Sequence, residues 1–310
     1  MDLKDRAASG SSFSHSTTTM ATSYVFTNET IRKAVDQWCY DDSREDAERE
    51  YGHISTWNTS QVTSMERLFA RMVCFNDDIS MWDVSMVMDM SRMFYEAMSF
   101  NQPIGRWDVS SVLNMSSMFH GAKMFNQPLG QWDVSNATLM RSMFNEAAAF
   151  NQPLEQWNVG SVTDLAYMFS DASTFNQSIG QWDVGKATNM SCMFFAASAF
   201  NQPIGQWNVG EVTDMRYMFC KAASFNQPIE QWNVVNVTSM EGMFNCAISF
   251  DQPIGHWDVS SATTVEGLLF GAKTFKQSIG QWVVTSSAVD MDYTLWDSDF
   301  RVKGRQQGQY

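Results

Sequence analysis

No run of about 18 apolar residues occurs in this chain, so none of it reads as a membrane-spanning segment. Residues 1–23 also lack the apolar core of a secretory signal, which by itself predicts an intracellular protein. Histidine is scarce. The four residues (His15, His53, His120 and His256) are too widely separated for a Ser-His-Asp or His-metal cluster. No glycine-rich phosphate loop is present, and no enzymatic activity is expected. The five cysteines (39, 74, 192, 220 and 246) are odd in number, scattered and without a Cys-x-x-Cys pair, which argues against a disulfide framework. Only Cys220 and Cys246 stand where a bridge is conceivable, one copy of the repeat apart. Basic charge is short as well: 20 Lys and Arg against 34 Asp and Glu leave a net charge of −14, so nucleic acid is not an expected partner. Proline is confined to 103, 128, 153, 203, 228 and 253, always the same slot of a repeat.

That repeat is what the chain has in abundance. Trp recurs every 25 residues from Trp57 to Trp282, and Phe from Phe75 to Phe300, with no insertion. A strict period of this length marks stacked repeat units. Within Ile204–Phe225, Trp207 and Val209 alternate as on a strand. Met215, Met218, Phe219 and Ala222 then fall at i, i+3, i+4 and i+7, one stripe of a helix. Thr213 occupies an N-cap slot, and Thr63/Glu66, Thr238/Glu241 and Thr263/Glu266 have capping-box spacing. The proline slot marks the return from helix to strand. The predicted fold is therefore an α/β repeat solenoid: leucine-rich-repeat-like, right-handed, with one parallel β-sheet and a short helix per 25-residue repeat.

The segment Phe200–Phe219, FNQPIGQWNVGEVTDMRYMF, resembles the 25-residue repeat of the BspA-like leucine-rich-repeat surface proteins, first described in mycoplasma lipoproteins. The likeness covers roughly 51–300. It implies a cell-surface or secreted repeat protein, in some members an adhesin, with no catalytic residues in the repeat. That location opposes the one read from the N-terminus. Seven Asn-x-Ser/Thr sequons, Asn28 and Asn58 among them, would matter only outside the cell.

Four regions follow. Residues 1–23, rich in Ser and Thr, read as disordered. Residues 24–50 read as a helical N-terminal cap, with Ile31, Ala34, Val35 and Trp38 as its apolar stripe and Ser43–Asp46 at capping-box spacing. Residues 51–300 hold ten repeats, the last a degenerate cap whose helix slots carry Asp290, Thr294 and Asp297. Residues 301–310 are a polar tail.

The Trp and Met columns (Met90/Met115/Met140 and Met93/Met118/Met143) read as core, not as a sugar-stacking ladder or a soft-metal surface. The Thr column needs only its place at the helix start. The polar residues flanking Trp face away from that core: Gln131 and Asp133, Gln156 and Asn158, Gln181 and Asp183, Gln206 and Asn208, Gln231 and Asn233. This strand face is the predicted binding surface, for a protein or a repetitive polymer, with the chain a monomer. Asp83, Asp108 and Asp133 are consecutive like charges across adjacent strands, which a cation such as Ca²⁺ would relieve, as would hydration. The alternative functions are a cation- or glycan-binding module on the Asp/Asn and Gln ladders, or a purely structural element. Residues predicted to point out from the helices vary more between copies (Arg67 and Arg71, Arg92 and Glu96, His120 and Lys123, Arg141 and Glu146, Arg216 and Lys221), which makes that side an alternative docking face.

Overall fold

The computed structural model describes residues 24–40 and 42–282. The readings of 1–23, of the last copy beyond 282 and of 301–310 lie outside them. Two helices open the described chain, α1 (Asn28–Cys39) and α2 (Arg44–Tyr51), followed by a 3₁₀ turn at Ile54–Thr56. Ile31, Ala34, Val35 and Trp38 bury one face of α1. Its capping box is formed by Thr27 and Thr30, whereas the Ser43 side chain caps nothing on α2 and instead donates to the Gln37 and Tyr40 carbonyls.

The copies themselves depart from the predicted architecture. Beyond the end of α2 and the 3₁₀ turn in the first copy, they contain among the described residues neither a helix nor an extended strand, so the parallel sheet with a helix in each repeat, and the right-handed strand–helix crossover it entails, are not formed. Neighbouring copies share one isolated parallel bridge each, running Ser64–Asp89–Asn114–Leu139 and onward to Thr264. The segment with helical spacing is a row of turns. In the copy around Met215, the N–H groups of Met215, Tyr217, Phe219 and Lys221 donate to carbonyls of the next copy, at Ser239, Glu241, Met243 and Asn245. Those of Met218, Cys220 and Ala222 donate three residues back, within the copy. Two residues per copy hold positive φ, as at Tyr217 (+55°) and Lys221 (+58°), which no α-helix allows.

The spacing between copies gives the reason. Phe rings of successive copies in this segment lie 5.6–5.8 Å apart. Packed helices need about 8–10 Å between axes, whereas backbones bonded side by side need about 4.8 Å. Every second N–H therefore reaches the neighbour. The i, i+3, i+4 burial pattern survives, because consecutive turns also return Met215, Met218 and Phe219 to the inside.

The Trp–Val segment fails as a strand because two tight turns interrupt it, closed by Trp207 N–H to the Ile204 carbonyl and Val212 N–H to the Val209 carbonyl. A Cβ on Gly205 would sit 2.5 Å from the Pro228 carbonyl oxygen, so the chain comes too close to its neighbour there for a side chain without a shift. The Thr column caps no helix either: Thr213, Thr238 and Thr263 donate both N–H and hydroxyl to the carbonyl one copy back.

One core runs through the stack. The Trp residues from 57 to 257 are 3–4% exposed, and the Met columns are fully buried. Each indole Nε1, from Trp82 to Trp282, donates to the backbone carbonyl 28 residues earlier at 2.9–3.3 Å, pinning one copy to the one before it. Asn28 of α1 closes the first copy, its Oδ1 accepting from the Thr63 and Ser64 N–H groups as a preceding copy's carbonyl would.

One substitution separates turns from helix by sign. Ala196 sits at φ +52°. In a helix, Ala196→Gly would cost about 1 kcal/mol. Here it relieves left-handed strain of about 1–2 kcal/mol against a smaller unfolded-state entropy loss, so a stabilisation of roughly 0.5–1 kcal/mol is expected in urea titration. Destabilisation by Gly would refute the turn assignment.

Candidate binding surface

Burial of each Trp determines what its neighbours do. With Trp207 inside, Gln206 and Asn208 are both exposed, and the same holds for Gln131 and Asp133, Gln156 and Asn158, Gln181 and Asp183, and Gln231 and Asn233. These residues form two columns along the stack. The Gln residues have no sheet beneath them; they stand on the turn that follows the Ile/Leu column. Gln181, Gln206 and Gln231 line a shallow cavity of about 240 Å³ with Pro203 and Pro228. Gln131 lines a larger one of about 590 Å³ with Pro103, Pro128, Pro153 and Met81, whose side chain is 77% exposed. The proline slot, read from sequence only as a corner, thus supplies the apolar wall beside the Gln column.

The Asp/Asn column has a structural task that sequence reasoning missed. Each side chain accepts from the backbone N–H two residues on, forming an Asx turn: Asp108 from Ser110 at 3.1 Å, Asp133 from Ser135 at 3.0 Å, Asp183 from Gly185 at 3.0 Å and Asn208 from Gly210 at 3.2 Å. The Ser85 and Ser110 hydroxyls donate to the same Asp oxygens at 2.7 and 2.6 Å. The recurrence of Ser or Gly two residues after the Asp or Asn was the available signal. Hydrogen bonds from Ser135 hold the Asp133 carboxyl below its ordinary range, so it stays charged at neutral pH. Asp83, Asp108 and Asp133 each use one oxygen to accept such a bond from the backbone two residues on. Among the described residues no three His, Cys, Asp or Glu side chains group as a metal site would require.

A second polar ladder was also missed. Asn101, Asn126, Asn151, Asn176 and Asn201 accept, through Oδ1, the N–H of the Asn one copy on. The adjoining Gln amides, such as Gln202 Nε2, donate to the same oxygen or to the backbone carbonyl beside it. The Asn-Gln of every Phe-Asn-Gln-Pro corner is thereby partly buried and occupied in joining copies. Gln131, Gln156, Gln181, Gln206 and Gln231 make no such bonds among the described residues.

The remaining reactive groups do not converge. His53 bonds Ser55, and His120 stacks on Tyr95 at 4.6 Å. All five thiols are free, Cys220 and Cys246 included. Burial raises the Cys39 and Cys220 pKa values to about 12, which keeps both protonated. No helix among the described residues is long and apolar enough to cross a membrane.

The profile of a family described as "Mycoplasma protein of unknown function, DUF285" matches the chain three times, over residues 40–156, 125–219 and 200–303. No curated protein matches it.

Proposed function

The chain belongs to this DUF285 family of unknown function, and from that premise we propose that it is a non-enzymatic binding scaffold whose Gln–Asp/Asn strip holds a protein or a repetitive polymer. The BspA-like surface proteins that the repeat resembles make adhesion the fitting context. One observation carries the reading: of the polar columns, the Gln residues beside Trp, present in five consecutive copies from Gln131 to Gln231, are the ones left exposed and unbonded, and Gln131, Gln181, Gln206 and Gln231 are set against an apolar proline wall. A ligand repeating along its length would meet the same contact at each step, so weak contacts would add. Pre-ordered backbone keeps the entropic cost of binding low.

The test is retention on immobilised chitin, dextran, hyaluronan and collagen. Wild-type protein is expected to bind at least one of them, and Gln181→Ala with Gln206→Ala and Gln231→Ala to weaken that binding about tenfold without changing the melting temperature. Binding unaffected by the triple variant, or retention on none of the four, would overturn the proposal. A melting-temperature rise in millimolar Ca²⁺ that vanishes in Asp108→Asn/Asp133→Asn would transfer the function to the carboxylate column.

A further inference from the structure

Away from the Gln strip, the turn segments of the first copies line an open cavity of about 640 Å³ that shares no lining residue with the two proline-walled cavities. Its lining includes four arginines, Arg67, Arg71, Arg92 and Arg141, and no Asp or Glu. That composition runs against the rest of the molecule, which carries a net charge of −14 and only 20 Lys and Arg in all. Two of the four have partners at the rim, Arg71 with Glu96 at 3.3 Å and Arg141 with Asp164 at 3.5 Å. Arg67 and Arg92, one copy apart in the same slot, are in none of the ion pairs among the described residues.

Duplication of the repeat does not explain the cluster. The slot of Arg67 and Arg92 holds Ser117, Ser142, Tyr167, Cys192, Tyr217, Gly242 and Gly267 in later copies. The backbone there is left-handed, with φ +56° at both arginines, a geometry that favours Gly and gives Arg no advantage. The charge is therefore local to one end of the stack, unlike the Gln column. The rest of the lining is in part hydroxyl- and amide-bearing, with Ser117, Ser142 and Asn114. Half-buried His120, stacked on Tyr95 and 3.9 Å from Glu146, has its pKa pushed down chiefly by desolvation, against the pull of that carboxylate, and adds no charge at neutral pH.

The four arginines are exposed at this cavity; guanidinium groups bind oxyanions bidentately, and hydroxyl and amide groups lining the same cavity suit a polyhydroxylated body. We infer that this cavity binds a sugar bearing an oxyanion ester, a sulfate or a phosphate, with Arg67 and Arg92 gripping the ester group. The site is independent of the Gln strip, so either assignment can fail alone.

Titration calorimetry at low salt with a sulfated heparin disaccharide, glucose 6-phosphate, glucose and sodium sulfate tests it. Either esterified sugar, or both, is expected to bind, glucose and sodium sulfate to bind at least about tenfold more weakly, and added NaCl to weaken the interaction. Which ester wins identifies the source of the oxyanion. Arg67→Ser/Arg92→Ser introduces the residue that the next two copies carry in this slot, Ser117 and Ser142, so folding should be retained, and the variant should lose at least about tenfold in affinity at an unchanged melting temperature. Gln181→Ala/Gln206→Ala/Gln231→Ala should leave this binding intact. No heat with either ester, equal affinity for sodium sulfate, or undiminished binding in the double-Ser variant would overturn the assignment.

Discussion

Trp207→Ala is expected to destabilise the chain by about 3–5 kcal/mol in urea titration, and Trp207→Phe by only about 1–2 kcal/mol. The indole is 3% exposed and stacks on Trp232 at 6.5 Å, with Phe194 at 6.3 Å on another side. Removing it opens a void between copies that hydrogen-bonded backbones on either side cannot collapse to fill. Phe would keep most of the apolar volume and lose the Nε1–H bond to the Ile179 carbonyl, 3.1 Å long. That carbonyl also accepts the Trp182 N–H at 3.1 Å, so it would not be left bare. The gap between the two variants thus measures packing against hydrogen bonding. A loss below about 1 kcal/mol for Ala would show that the Trp column does not hold the stack together.

Phe169→Ala is expected to cost a similar amount, about 3–5 kcal/mol, and to change the form of unfolding as well. Phe169 lies mid-stack, 5.7 Å from Phe144, 5.8 Å from Phe194 and 4.0 Å from Phe175. Stacked repeats are coupled chiefly to their neighbours, so a weak junction lowers cooperativity across it. Urea unfolding should then part into two transitions, the N-terminal copies with α1 and α2 separating from the rest. Phe169→Leu is the control, since Leu269 occupies the same slot in a later copy and is fully buried; it should cost about 1 kcal/mol and leave one transition. A single unshifted transition for Phe169→Ala would contradict the ladder.

Both predictions rest on columns visible in the bare sequence, and the strip proposed for binding was visible with them. Once Trp207 is assigned inside, Gln206 and Asn208 must be outside whether the backbone is a strand or a pair of turns, so the Gln and Asp/Asn columns could be picked without knowing which. The Asx bonds could not be read in the same way. Asp133 looked like an unrelieved charge because pairing across strands was assumed, whereas its partner is Ser135, two residues along. The arginine cavity was legible only as variation among outward residues. Arg67, Arg92 and Arg141 are 25 and 49 residues apart, and only the stacking of copies brings them to one wall.

The sequence by itself determined the 25-residue period, the membership of the core and the columns left to solvent, because burial follows from side-chain chemistry repeated in register. Tertiary structure alone decided which atoms satisfy the backbone. An apolar pattern at i, i+3, i+4 suits a helix and a row of turns equally well, since both bring those side chains to one side. What separates them is the distance to the next copy: at under 6 Å between stacked Phe rings, neighbouring carbonyls come within reach of alternate N–H groups and two helices cannot fit side by side.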